Sequence, residues 1–290
     1  MELFLIDDEE KMFELATYIF NKNAERKLLT SDKNIEAYEQ IVKLYPDGNY
    51  PPVMVITLEN NEIADIEGII GLVASYVKEL CNRPAIVLTK TKKDGENIYK
   101  GSARSIEGFN ITQAFNKTKK HLLGFGGHAM AGGLSIKEEN IESFIKSIIK
   151  YAQPLLTEDI LTKKIYVDFA CSTSEVTEDL IDDLDMLRPY GTGFEKPNIG
   201  LIDMEVNLDL YNPPVYDSIF CGADKMTVRL LKDDGFTVMM FKHPEIMFTE
   251  NMTNRVSNNK FIVKPIGFPC INIFNGQKKF QLQVTENYLF

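Results

Sequence analysis

Gly101-Ser102-Ala103-Arg104-Ser105 and the later run Gly126-Gly127-His128-Ala129-Met130-Ala131-Gly132-Gly133 bring hydroxyls, a guanidinium and an imidazole onto backbone that few side chains obstruct. That is the chemistry of an anion site, with phosphate the leading ligand. Arginine offers a fork of charge-assisted donors, and glycine lets backbone N–H groups approach an oxygen closely. Arg104 can chelate two oxygens while Ser102 and Ser105 each donate one further bond. His128 follows Gly126 and Gly127, so its ring can reach a ligand the backbone nearly touches, as a donor to phosphate. Metal ligation is the weaker reading, because no Asp–His cluster accompanies it. The bland alternative for Arg104 is a surface pair with Glu107 or Glu96; the flanking motif favours function.

The first run continues through Ile106-Glu107-Gly108-Phe109 and the second ends at Leu134. In this they resemble the RecJ-type single-strand-specific exonucleases of the DHH phosphoesterase superfamily, whose DNA-gripping domain reads G-S-G-R-S-I-x-G-F and G-G-H-x-x-A-A-G-L. Ala103 and Gly132 are small-residue departures. Gly68-Ile69-Ile70-Gly71-Leu72-Val73-Ala74-Ser75 resembles the family's G-V-I-G-I-V-A-S helix start, and Leu187-Arg188-Pro189-Tyr190-Gly191-Thr192-Gly193 its L-x-P-F-G-x-G turn. One departure stands out: Asp65-Ile66-Glu67 occupies the place where the family carries Trp-His ahead of the helix glycine.

The resemblance implies an N-terminal linker helix over 1–45, a DHH-associated α/β domain with a mixed sheet over 46–158, and an all-β OB-fold barrel over 159–290. It assigns Ser102 and Arg104 to a terminal or scissile DNA phosphate, and the whole enzyme to 5′→3′ hydrolysis of single-stranded DNA in repair and recombination, with Mn²⁺ or Mg²⁺ generating the hydroxide. The superfamily's Asp-His-His signature does not occur in this sequence. The chain is therefore expected to be the substrate-binding, C-terminal portion of such an enzyme, from an engineered fragment or a split gene. On that reading it binds no metal, is inactive alone, and partners single-stranded DNA and a separate catalytic DHH domain or polypeptide. A non-enzymatic single-strand-binding or partner-recruiting module is the competing class. A relative acting on short oligonucleotides or cyclic dinucleotides is a third, against which the strand-rich region after Lys163 speaks.

Composition sets the outer bounds. A chain of 290 residues, 44% apolar and 26% charged, suits a globular protein of one large or two ordinary domains. Apolar runs are too short to span a bilayer and the N-terminus lacks the basic start and cleavage site of a secretory signal, so a cytoplasmic setting is expected. Cys81, Cys171, Cys221 and Cys270 are dispersed, with neither zinc-ligand nor disulfide-framework spacing, and read as reduced, mostly buried thiols. A net charge of −10 argues against coating nucleic acid through the average surface. Between Arg83 and Lys120, however, nine basic residues face three acidic ones, and a local field of that sign steers polyanions unless it is merely a solvated face.

The elements that must position these groups follow from periodicity. Asp7 or Asp8 caps a helix reaching about Leu44, with Ser31-Asp32 able to start a second segment. Apolar runs at 53–58 and 85–89, a strand at 98–104 and a closing strand at 134–136 alternate with helices over 68–81, 110–120 and 138–151, the pattern of an α/β layer. Beyond Lys163 strands dominate, at 165–169, 199–210, 226–231, 236–241, 261–267 and 280–284, with one helix at 175–187 and a hairpin signal at Asn275-Gly276. On this barrel Phe194, Lys225, Arg229, Lys242, Phe274, Lys278 and Lys279, together with Lys100 in the first domain, mix aromatic and basic chemistry suited to a single strand. The acidic pairs Asp7-Asp8, Asp182-Asp183 and Asp233-Asp234 read as a helix cap, a solvated helix face and a hairpin turn rather than metal sites.

Overall fold

A computed structural model describes residues 8–59, 66–93, 96–211, 219–221, 227–240, 259–274 and 276–284. The chain divides into two compact units, Met1–Lys163 and Lys164–Phe290.

Helix α1 (Glu9–Leu44) starts on Asp8, whose carboxylate accepts from the N–H groups of Glu10 and Lys11, with Glu9 and Glu10 complementing the helix dipole. It runs unbroken through Ser31-Asp32, because Lys33, Ala37 and Ile41 lie on one face that packs on the rest of the unit. The earlier turns expose Phe13, Phe20 and Leu28.

Next come β1 (Met54–Leu58), α2 (Ile70–Cys81), β2 (Ala85–Lys93), β3 (Glu96–Arg104), α3 (Ile111–Thr118), β4 (Leu122–Gly127), β5 (Ala131–Lys137), α4 (Ile141–Ala152) and α5 (Glu158–Leu161). The sheet order is β1-β2-β3-β5-β4, with β1 and β2 parallel and the remaining pairs antiparallel, so the sheet is mixed. The sequence reading closes this sheet at 134–136. In fact the edge belongs to β4, a glycine-rich strand whose composition hides it from propensity.

Side chains alternate across a strand, and here the two faces have different fates. One face contributes Ile86, Leu88, Tyr99, Ala103, Leu134 and Ile136 to a core closed by Ile111, Ala114 and Phe115 of α3 and Phe144 and Ile148 of α4. The other contributes Met54, Ile56, Leu58, Ala85 and Val87 to a core with α1 and α2. That second core stops at β2. On β3, β5 and β4 the same face carries Lys100, Ser102 and Arg104, then Ser135 and Gly133, then Gly124 and Gly126, by their mutual register.

The second unit holds β6 (Phe169–Cys171), α6 (Glu178–Met186), β7 (Ile199–Leu201), β8 (Met204–Asn207), β9 (Phe220–Cys221), β10 (Thr227–Leu231), β11 (Thr237–Met240), β12 (Lys260–Val263), β13 (Ile266–Phe274) and β14 (Gln277–Val284). Its strands form a seven-stranded sheet, β6-β7-β13-β14-β11-β10-β9, and a two-stranded ribbon, β12-β8. Among the described residues no pairing closes these into a barrel. The strand expected over 199–210 is two strands and a 3₁₀ turn, and the helix expected from Glu175 begins at Glu178 after a capping box made by Ser172 and Glu175. Phe274 pairs with Gln277 across the expected hairpin, and Gly276 sits at φ +75°. Val228, Leu230, Val238, Met240 and Leu282 form the centre of its core.

Candidate functional site

Where the second core of the first unit stops, an open cleft of about 600 Å³ begins. Its floor is the polar stretch of sheet, with Lys100, Ser102, Gly124, Gly126, Gly133 and Ser135, and its wall is Glu67, Gly68, Ile70 and Gly71 at the start of α2. That helix start carries no acidic residue in its first turn and no side-chain cap; the Ile69 and Ile70 N–H groups bond to the Ile66 carbonyl, and Glu67 lies just ahead of it.

Arg104 does not itself line the cleft but adjoins two residues that do, Ser102 and Gly71, and is partly buried. Its guanidinium donates to Ser102 Oγ at 3.2 Å and to the Ala103 carbonyl at 2.9 Å. It lies so close to α2 that a Cβ on Gly71 would stand 2.9 Å from Nη2, so a side chain there would push the guanidinium aside. Among the described residues Arg104 forms no ion pair, and its guanidinium retains donors for an anion. Lys100 is different. Its ammonium lies 2.5 Å from a Glu67 carboxylate oxygen. That bond and a second from the Thr91 hydroxyl hold the Glu67 carboxyl below the usual carboxylate range.

The glycines sort into two kinds. Gly127 has φ +141°, and a Cβ there would lie 2.3 Å from the Ala131 carbonyl oxygen, so the β4–β5 turn cannot form with a side chain. Gly124 and Gly126 have ordinary φ values, and a Cβ on either would meet nothing within 4 Å. Neither backbone nor packing asks for glycine at these two positions. What their bareness provides is room for something else to lie on the sheet.

The structure therefore brings Ser102, Arg104, Gly126 and Lys100 together. It separates the other residues assigned from sequence. The Ser105 hydroxyl is buried and donates to the Phe109 carbonyl at 2.6 Å, while its N–H bonds to the Met130 carbonyl at 2.8 Å; it fixes the turn after β3, which corrects its assignment as a phosphate donor. His128 follows Gly127 in the exposed β4–β5 turn, with its N–H bonded to Ala131 and its carbonyl accepting from Thr112 Oγ1. Neither His128 nor Gly127 is among the cleft's lining residues. The basic run also disperses: Arg83 binds the backbone carbonyls of Asn82 and Leu161, Lys90 pairs with Glu138, and Lys117, Lys119 and Lys120 stand exposed around the end of α3. Sequence reasoning did not place Glu67, Gly124 and Ser135 in the site; Gly124 and Gly126 meet Ser135 and Gly133 only through the pairing of β4 with β5.

In the second unit, alternation places Arg229 and Lys279 on one sheet face and Lys278 on the other, so these three do not form one surface. Lys278 is bonded to Glu178 of α6. Phe194 is exposed and stacks its ring on Tyr190 at 5.6 Å between centroids. Lys196, which the sequence reading passed over, lies 5.2 Å above the Phe268 ring. Lys225, Lys242 and the Phe274 side chain lie outside the described residues. Among the described residues no three His, Cys, Asp or Glu side chains are grouped to hold a metal ion.

Residues 52–153 match the DHHA1 domain and residues 167–286 the RecJ OB domain. The chain carries the DHHA1 and OB domains of the RecJ family. It is 29% identical over 289 residues to the single-stranded-DNA-specific exonuclease RecJ of Bacillus subtilis, a match covering 99% of this chain and 34% of that protein. It is 30% identical over 204 residues to RecJ of Haemophilus influenzae, covering 68% of this chain and 34% of that one. The chain thus spans about a third of the length of these relatives. The crystal structure of RecJ from Thermus thermophilus in complex with Mg²⁺ shares the fold, with a TM-score of 0.69 at 19% identity over 98% of this chain and 39% of that one. No helix among the described residues is long and apolar enough to cross a membrane.

Proposed function

We propose that this chain is the strand-holding portion of a RecJ-type single-strand-specific 5′→3′ exonuclease acting in the cytoplasm. In this reading the DHHA1 cleft takes a terminal phosphate of single-stranded DNA on Arg104 and Ser102, beside the α2 N-terminus, while the adjoining sugar–phosphate backbone lies on the bare floor at Gly124, Gly126 and Gly133. The observation that carries it is the pair of glycines, Gly124 and Gly126, that the fold itself does not need and that leave the sheet open beside a guanidinium with donors to spare.

The chain's own contribution is to bind and to orient. A strand fixed at its phosphate presents the scissile bond at one distance and angle, which removes much of the entropic cost of reaction. Hydrolysis belongs to a catalytic DHH domain, on this chain's natural polypeptide or a separate one. Mg²⁺ or Mn²⁺, with which the Thermus RecJ structures were determined, would supply the hydroxide and stabilise the leaving oxygen there. His128 is assigned a phosphate contact outside the cleft proper, from the turn after Gly127, and the OB domain is assigned the onward path of the strand through Arg229 and Lys279.

The test is equilibrium binding of oligothymidylates that differ only in carrying a 5′-phosphate or a 5′-hydroxyl. The phosphorylated strand is expected to bind more tightly, and Arg104→Ala to remove the difference. Binding indifferent to the end, steep in salt and untouched by Arg104→Ala would instead indicate a non-enzymatic single-strand-binding module.

A further inference from the structure

The turn over residues 187–193, distinctive in sequence, belongs to the OB domain and has no part in the DHHA1 cleft. It closes in a tight reversal, where Gly191 and Phe194 exchange two backbone hydrogen bonds of 2.8 and 3.0 Å and Gly193 takes φ +84°. The reversal holds Phe194 52% exposed, its ring against that of Tyr190 at 5.6 Å between centroids and 31° between planes. Tyr190 is anchored in turn: its hydroxyl donates to the Leu184 carbonyl, and its ring meets Phe268 edge-on at 5.8 Å. Phe268 also carries the Lys196 ammonium, 5.2 Å from its ring centroid. The Phe194 ring is thus firmly backed, yet it stands outside the domain's buried core.

This aromatic group adjoins a cationic sheet face. Phe268 pairs with Gln283, Gln283 with Met239 and Met239 with Arg229, and paired residues share a face, so Phe268 and Arg229 end one row about 14 Å long. Lys279 lies on the same face. Arg229 and Lys279 are exposed and form no ion pair among the described residues. No carboxylate stands at any paired position of that face on β10, β11, β13 and β14. We propose that Phe194, backed by Tyr190, is a base-stacking residue: one nucleobase of the single strand rests on its outward side while Arg229 and Lys279 take phosphates of the same strand. The inference deepens the proposed function and rests on its reading that the OB domain carries the strand onward. An aromatic ring suits every base alike, since each has a π-face, and a neighbouring cationic face without carboxylates tracks the backbone that joins them.

The experiment compares two 5′-phosphorylated probes of equal length, an oligothymidylate and a strand of abasic deoxyribose phosphates, by fluorescence anisotropy on the full chain. Phe194→Ala is expected to weaken the oligothymidylate roughly tenfold and to leave the abasic strand unchanged. The salt slope should stay the same, because stacking releases no counterions. Arg229→Ala should weaken both probes. Phe194→Trp should bind as the native chain does, and its emission should be quenched by the oligothymidylate and not by the abasic strand. The chain has no tryptophan of its own, so that signal reports this position alone, and it decides the matter even where Phe194→Ala lowers the melting temperature. Equal weakening of both probes by Phe194→Ala without quenching in Phe194→Trp, or no effect of either variant on the oligothymidylate, overturns the inference. The cleft reading survives that outcome if Arg104→Ala still removes the preference for a phosphorylated end. Should Arg104→Ala change nothing while Phe194→Ala keeps its selective effect, the cleft reading falls and the stacking site stands.

Discussion

Basic side chains slightly outnumber acidic ones in the DHHA1 domain and acidic ones prevail in the OB domain, and the two also arrange their cations differently. In the DHHA1 domain one cation, Arg104, sits beside bare sheet with its remaining donors unused by any ion pair among the described residues. In the OB domain Lys278 is bonded to Glu178, Lys260 to both Glu205 and Asp233, and Lys232 to Asp234 and Thr173. Residues 164–290 hold 12 basic against 18 acidic side chains, and no described cleft gathers the basic ones. The comparison teaches that a cation's worth to a polyanion depends on what already holds it. A count of lysines and arginines does not single out Arg104 from its neighbours, whereas the pairing pattern points to the DHHA1 cleft.

The largest expected effects lie in the two kinds of glycine on one strand. Gly127→Val forces a side chain into φ +141° and against the Ala131 carbonyl, and should cost on the order of 3 kcal/mol or more, seen as a marked fall in the melting temperature of the first domain. Gly126→Val, one residue earlier, meets nothing and suits a strand; its stability should change by less than about 1 kcal/mol while strand binding drops at least roughly tenfold. Equal destabilisation by both would remove the argument that Gly126 is kept bare for a ligand.

Next in size is the contrast between cations. Arg104→Ala removes charge-assisted bonds to phosphate and should weaken binding by about 2 kcal/mol, roughly thirtyfold. Lys278→Ala removes an exposed ammonium already shared with Glu178 and should weaken binding less than about twofold. The log–log salt slope should likewise stay modest, on the order of −2, as only the few phosphates met by Arg104, Arg229 and Lys279 are neutralised. A steep slope together with a large Lys278 effect would move the interface to the OB domain.

How much of this could be read beforehand differs along the chain. The strands read at 53–58 and 85–89 were legible because β-branched and aliphatic residues leave a continuous apolar run, whereas the continuation of the second to Lys93 is polar and was not. Ser102 and Arg104 were legible because a hydroxyl and a guanidinium stand together in a glycine-led motif that resembles the family's. Edge strand β4 was not, since Leu-Leu-Gly-Phe-Gly-Gly has no strand propensity and is held by its pairing with β5. Ser105 was misassigned because spacing alone does not tell a hydroxyl that closes a turn from one that faces solvent; only the carbonyl of Phe109, brought back by the turn, decides it. Glu67 was noticed only as part of the segment that replaces the family's Trp-His; its pairing with Lys100 was not legible, because a salt bridge between a helix start and a strand leaves no local pattern.

The smallest effect sharpens the view that the OB-domain cations held by carboxylates serve the fold. Asp233 accepts from the Asn207 amide at 2.7 Å and pairs with Lys260 at 3.0 Å, and these bonds hold its carboxyl below the ordinary range. A carboxyl with a depressed folded-state pKa adds stability that is complete above its unfolded pKa and is lost as pH falls through the folded value. Asp233→Asn should therefore lower the melting temperature slightly at neutral pH, and the gap between variant and native protein should close on acidification below the normal carboxylate range. Both groups are on the surface, so salt should narrow the gap as acid does. A gap that persists undiminished in acid would mean that the carboxylate's charge is irrelevant there, and would leave Lys260 available to a strand after all.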